Sequence, residues 1–192
     1  MDSVGHHQLT CPKGGFPTAR HNRVRDAFAS LARAAGLSPK IEQGAFARDL
    51  TRPADILVPA WSHGKPAAFD VTIVSPHVQV NMVAGNTEVV EKAAELKHSE
   101  NDVKCAALGW LCVPLAVDCY GQWCSEAHLS FNALSSHLAV CTQVKQSVAL
   151  SSIYNTLGLV LARQNARSIL AHRSPLDRFS VGAREVRQLG RL

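Results

Sequence analysis

No apolar run in the 192 residues approaches the length of a bilayer span, so no membrane partner is expected. Met1 to His7 offer neither the basic n-region nor the apolar h-region of a secretory signal. An intracellular protein, nuclear or cytoplasmic and not secreted, is therefore the expectation. Cysteine is sparse, and residues such as Cys112 and Cys119 sit inside apolar patterns, which favours reduced thiols over a disulfide framework. Charged residues are few at 18% of the chain, and we find no internal repeat or low-complexity tract. What charge there is leans basic, +5 overall. That agrees with a polyanion partner such as DNA without requiring one, since basic proteins of many kinds are common.

Residues 1–19 show little periodicity. His7 and Cys11 have the spacing of half a zinc knuckle, but a closed structural site needs four ligands. The competing reading is a polar, frayed terminus. From Arg20 to Ala35 the pattern becomes helical: Val24, Phe28, Leu31 and Ala35 form one stripe, arginines occupy the other faces, and Gly36 marks the stop. Those arginines suit phosphate contact or simply a solvated face. A short strand is expected over Lys40 to Gly44. A second helix runs from about Thr87 to Leu108, with Val89, Ala93, Leu96, Val103 and Ala107 as its buried stripe. Lys97 and Lys104 lie together on one flank of that stripe, and Lys92 on the other. Trp110 to Asp118 reads as a buried strand. A third helix follows from Ser125 to about Cys141, with Ala127, Phe131, Leu134, Leu138 and Cys141 as its stripe. A fourth spans about Val144 to His172 and ends in Arg163, Arg167, His172 and Arg173. The Arg-rich residues after Pro175 read as a disordered basic tail.

The stretch from Arg52 to Pro76 carries the chemistry. Two apolar runs flank a turn at Ser62-His63-Gly64-Lys65-Pro66, the pattern of a β-hairpin, and each arm contains one aspartate, Asp55 and Asp70. A carboxylate inside an apolar strand is expensive to desolvate unless it is paired or binds a metal. Placed on one face of adjacent strands, the two acids suit a hard divalent cation, Mg²⁺ or Mn²⁺, which takes one or two carboxylates together with water and phosphate oxygens. A lysine from the second helix beside them would offset negative charge growing on a phosphate. Alternatively, one aspartate caps a turn and the other pairs with Arg52 or Lys65. The element order gives an α/β fold: a small mixed β-sheet with flanking helices.

A set of short motifs goes further. It comprises His6-His7-x2-Thr10-Cys11, Arg20-His21-Asn22, Arg52-Pro53-Ala54-Asp55 and Gly64-Lys65-Pro66-Ala67-Ala68-Phe69-Asp70-Val71-Thr72. Lys97-His98, Asn101-Asp102-x-Lys104-Cys105 and Gly109-Trp110-x-Cys112-x-Pro114 complete it. Together they resemble the C-terminal endonuclease region of non-long-terminal-repeat retrotransposon polyproteins, within the restriction-endonuclease-like PD-(D/E)XK superfamily. The resemblance covers roughly His6 to Arg173. It implies a restriction-endonuclease-like core and a Mg²⁺-dependent endonuclease that nicks target DNA, whose free end then primes reverse transcription. Asp55 and Asp70 would be metal ligands. Thr72 stands where the superfamily has its lysine, a role the resemblance moves to the following helix, to Lys97 first, with Lys104 and Lys92 as alternatives. Arg20, His21 and Arg52 would be supporting residues near the DNA or the metal.

The family's Cys-x2-Cys pair and its reverse transcriptase, both expected upstream, do not occur in this chain. The resemblance is thus to a truncated copy, with His7 and Cys11 as orphaned zinc ligands, which argues against zinc there. The expected division is 1–19 as a remnant of the knuckle and linker, 20–121 as the endonuclease-like core, 122–174 as C-terminal helices packed on it, and 175–192 as tail. RNA, or a reverse transcriptase supplied in trans, would be additional partners. The alternative function is a non-catalytic nucleic-acid-binding module or an inactive transposon-derived remnant.

Overall fold

The computed structural model describes residues 6–41, 54–76 and 86–172. A short helix α1 (His6–Thr10) and a 3₁₀ turn (Lys13–Gly15) lead into α2 (Phe16–Ala34). The strands β1 (Lys40–Ile41), β2 (Ile56–Ser62) and β3 (Lys65–Val74) follow, then α3 (Asn86–Ala107), β4 (Leu111–Asp118), α4 (Ser125–Thr142) and α5 (Gln146–Ala171). The four strands form one mixed sheet in the order β1-β2-β3-β4. The expected mixed α/β architecture, a small sheet with flanking helices, is what the chain adopts.

Local chemistry explains the hairpin. His63 and Gly64 both take positive φ, 49° and 75°, and Ser62 pairs with Lys65 across them. Two consecutive left-handed residues give the turn whose twist matches that of the flanking strands, and glycine enters that region without strain. Pro59 has no N–H to donate, and it falls where the β2–β3 register shifts, between Val58 and Ser62. β3 then continues through α3 into β4 as a parallel crossover, with Asp70 opposite Pro114.

Alternation along β3 separates two faces. Phe69 turns toward α2 and stacks on Phe28 with ring centroids 5.0 Å apart. Phe28 in turn meets Phe131 of α4, and Phe131 meets Trp123 and Tyr154. Asp70, one residue on, turns toward α3. The sheet is therefore covered by α2 and α4 on one side and by α3 on the other, with α5 laid across α2 and α4. A single buried cluster runs through α2, the sheet, α3, α4 and α5. Phe28, fully buried at its centre, is expected on truncation to alanine to cost about 3–5 kcal/mol of stability, measured by urea unfolding.

Several sequence expectations need correction. The N-terminal segment is not frayed over its described part: Leu9 and Cys11 are buried, and Ser168 of α5 donates to the Gln8 carbonyl. The stripe expected on α3 is also wrong in its second half. Leu96 and Val103 are exposed, as is Ala107, while Asn101 and Cys105 are buried. The side of α3 that meets the sheet is turned by about 100°, one residue, from the expected one, because it carries polar groups that have partners below. Cys141 is exposed too. The strand expected to Gly44 is described only as Lys40–Ile41. The loop after Pro76, Arg52 and the basic tail lie outside the described residues.

Candidate active site

Asp55 stands immediately before β2, and its backbone N–H donates to the Phe69 carbonyl at 3.0 Å. Its side-chain oxygen Oδ2 accepts the Val71 N–H at 2.8 Å and lies 3.0 Å from His21 Nε2. The start of β2 thus brings this carboxylate across the neighbouring strand, where it is half-buried. Asp70, from the middle of β3, comes up beside it, near enough that each carboxyl acts on the ionisation of the other. The other side of Asp70 faces α3: Lys97 Nζ is 3.2 Å from Oδ2 and Asn101 Nδ2 donates to the same oxygen at 3.1 Å. Lys104 Nζ reaches Asn101 Oδ1 at 3.4 Å, one step further out. The resulting line, His21–Asp55–Asp70–Lys97, runs from α2 across both arms of the hairpin to α3.

Its electrostatics are uneven. Burial and the adjacent Asp55 charge push the Asp70 carboxyl up to about 6, against the pull of Lys97. Burial also opposes ionisation of Asp55, yet the hydrogen bond and charge of His21, with the Val71 N–H, hold Asp55 below its ordinary value. His21 is raised in return, chiefly by its hydrogen bond to Asp55. Burial disfavours the Lys97 cation, but the Asp70 charge and Glu100 outweigh it and raise the ammonium. Two carboxyls with values pushed apart and one proton between them are what like charges in a half-dry site produce.

No protein-family model and no curated protein matches the chain.

Of the residues singled out by sequence, the structure brings Asp55, Asp70 and Lys97 together and adds His21 directly. Lys104 is held at one remove. Lys92 is elsewhere, 3.5 Å from Glu88 at the first turn of α3. Arg20 does not join the site: it is buried, donating to the Leu9 carbonyl and to Asn165 Oδ1 of α5, and so ties α1 to α5. His7 is exposed and Cys11 buried, and neither joins a group of three metal-ligating side chains among the described residues. The alternative in which Asp70 pairs with Lys65 is not realised, as its cation is Lys97. Nor does Asp55 cap a turn: the backbone N–H it accepts belongs to Val71, inside β3. Asn101 was missed as a site residue, although it lies four residues after Lys97, one turn along the same helix face. Thr72 shares the Asp70 face of β3, and its buried hydroxyl has no hydrogen-bond partner among the described residues.

A second feature lies on the outer side of α2. Arg23, Arg163 and Arg167 line an open groove of about 350 Å³ between α2 and α5. Asp26, also in the groove, is taken by Arg25 at 2.8 Å. The three arginines have no ion-pair partner among the described residues, which leaves a net cationic furrow.

Proposed function

We propose that this chain is a divalent-metal-dependent DNA endonuclease domain with a restriction-endonuclease-like core, derived from a retrotransposon, that nicks target DNA. The observation that carries the reading is the meeting of the Asp55 and Asp70 carboxyls with Lys97 3.2 Å from Asp70. The donor set fits Mg²⁺ or Mn²⁺: hard oxygens only, close enough to share a proton that a cation would replace. A cation held by Asp55 and Asp70 supplies Lewis acidity toward a phosphate oxygen and eases deprotonation of water. The residues of the chain do the rest. His21 and the Val71 N–H fix the orientation of Asp55 and keep it ionised. Asn101 and Lys97 hold Asp70 from the other side. The Lys97 ammonium also stands ready beside the negative charge that grows on the scissile phosphate.

The test is conversion of supercoiled plasmid to nicked circle. Nicking is expected with Mg²⁺ or Mn²⁺, and none with EDTA or with Asp55→Ala. A purified, folded protein that nicks no faster than this variant would end the enzymatic reading.

The arginine groove supports a second reading, a module that holds nucleic acid without cutting it. Replacing Arg163 and Arg167 together by glutamine is expected to weaken DNA binding and to lower the salt dependence, as log K against log salt, by about 2. Binding that survives Asp55→Ala, never yields product and loses this slope would favour the binding module. An unchanged slope would remove the groove from either account.

A further inference from the structure

Lys97, Asn101 and Lys104 occupy one stripe of α3. The adjoining stripe carries His98, Asp102 and Cys105 at spacings of four and three, so these also share a helix face. Across from it, β4 presents Cys112, the register partner of Ala68, two residues before the Asp70 level. One donor atom each from His98, Asp102 and Cys112 lie within 4.8 Å of one another. His98 Nδ1 is 2.8 Å from Asp102 Oδ1. The buried Cys105 thiol lies near enough to Cys112, as Asp102 does, to act on its ionisation. The remaining imidazole nitrogen, Nε2, is 2.6 Å from Glu126 Oε1 at the start of α4.

We propose that His98, Asp102 and Cys112 bind a structural Zn²⁺ ion, with the neighbouring Cys105 thiol, which stands outside that group of three, turning in as the fourth ligand. Nitrogen, thiolate and carboxylate from four residues make a donor set zinc takes tetrahedrally, at about 2.0–2.3 Å for the three donor types. The carboxylate of Glu126 on the far ring nitrogen is the outer partner that fixes the tautomer of a ligating histidine and turns its other nitrogen toward the metal. Mg²⁺ has no use for the thiols, and thioether- or thiolate-only metals have no use for Asp102. The ion would staple α3 to β4, and through Glu126 would orient the helix against α4. Lys97 and Asn101 stand one stripe away from it, so the staple sets how α3 presents them to Asp70. This inference does not depend on DNA cleavage.

The experiment uses the full chain, purified under reducing conditions, stripped with a chelator and titrated with Zn²⁺, with Co²⁺ loaded in parallel. One equivalent of zinc is expected, with a thiolate-to-cobalt charge-transfer band in the Co²⁺ form. Cys112→Ser should lose the band and stoichiometric zinc. Glu126→Gln should keep the band and weaken zinc binding about 10–100-fold. Asp70→Asn should bind zinc as the unmutated protein does. The Co²⁺ spectrum of the unmutated protein decides the matter even if Cys112→Ser fails to fold. Absence of the band, zinc lost with Asp70→Asn, or a Cys105–Cys112 disulfide in its place would overturn the proposal.

Discussion

Asp70→Asn is expected to abolish nicking and, at the same time, to stabilise the metal-free protein at pH 8. The loss of activity follows from removing one of two anionic oxygen donors. The gain in stability follows from the environment of Asp70, whose carboxyl sits at about 6 against an unperturbed 3.8. The folded chain thus holds this proton more tightly than the unfolded chain. Its contribution to stability is complete below 3.8 and is lost as pH rises through about 6. At about 1.4 kcal/mol per pH unit across that window, ionised Asp70 costs the fold on the order of 3 kcal/mol above pH 6. Asparagine mimics the protonated carboxyl: its amide can donate to Asp55 while its oxygen still accepts from Asn101. With roughly 2–4 °C per kcal/mol for a domain of this size, Tm should rise on the order of 10 °C at pH 8. At pH 5 the difference should shrink, since the native carboxyl is then largely protonated. Mg²⁺ should raise the Tm of the unmutated protein and not that of the variant. A variant that melts lower at pH 8, or by a margin indifferent to pH, would show that Asp70 is a satisfied structural ion pair with Lys97.

Lys97→Met is expected to slow nicking by about 10²–10³-fold, the range seen when one preorganised positive or hydrogen-bonding group is taken from a developing oxyanion. It should also move the pH profile. The Lys97 charge pulls Asp70 down, so without it the carboxyl titrates above 6 and the rise of activity with pH shifts to the alkaline side. Lys97→Arg keeps the charge and should recover the profile more than the rate. Lys104→Met, whose ammonium touches only Asn101 among the site residues, is expected to retain most activity. A profile for Lys97→Met that matches the unmutated protein, or a larger loss with Lys104→Met, would move the catalytic cation to another residue.

How much of this the sequence discloses depends on the range of the interaction involved. The hairpin is legible because its turn is local: His63 and Gly64 carry the conformation and the apolar arms follow. Asp55 and Asp70 stand out because acids are rare in such arms. The face of α3 is not legible from hydrophobicity alone. Leu96 and Val103 advertise a buried stripe, but Asn101 and Cys105 take the buried positions because Asp70 and Cys112 await them on the sheet, which only the tertiary arrangement shows. Arg20 and His21 are adjacent in one motif, yet 100° around the helix separates their fates: one braces α5 and the other braces Asp55. Which of them belongs to the site cannot be told from a pattern along the chain.

The Arg20 brace has a consequence for synthesis. Leu9 is fastened through Arg20 to Asn165, and Gln8 directly to Ser168. A ribosome adding about 5–20 residues per second delivers α5 on the order of ten seconds after α1. Until then the Arg20 brace and the Gln8 carbonyl have no α5 partner, and a segment made before α5 must be among the last to settle.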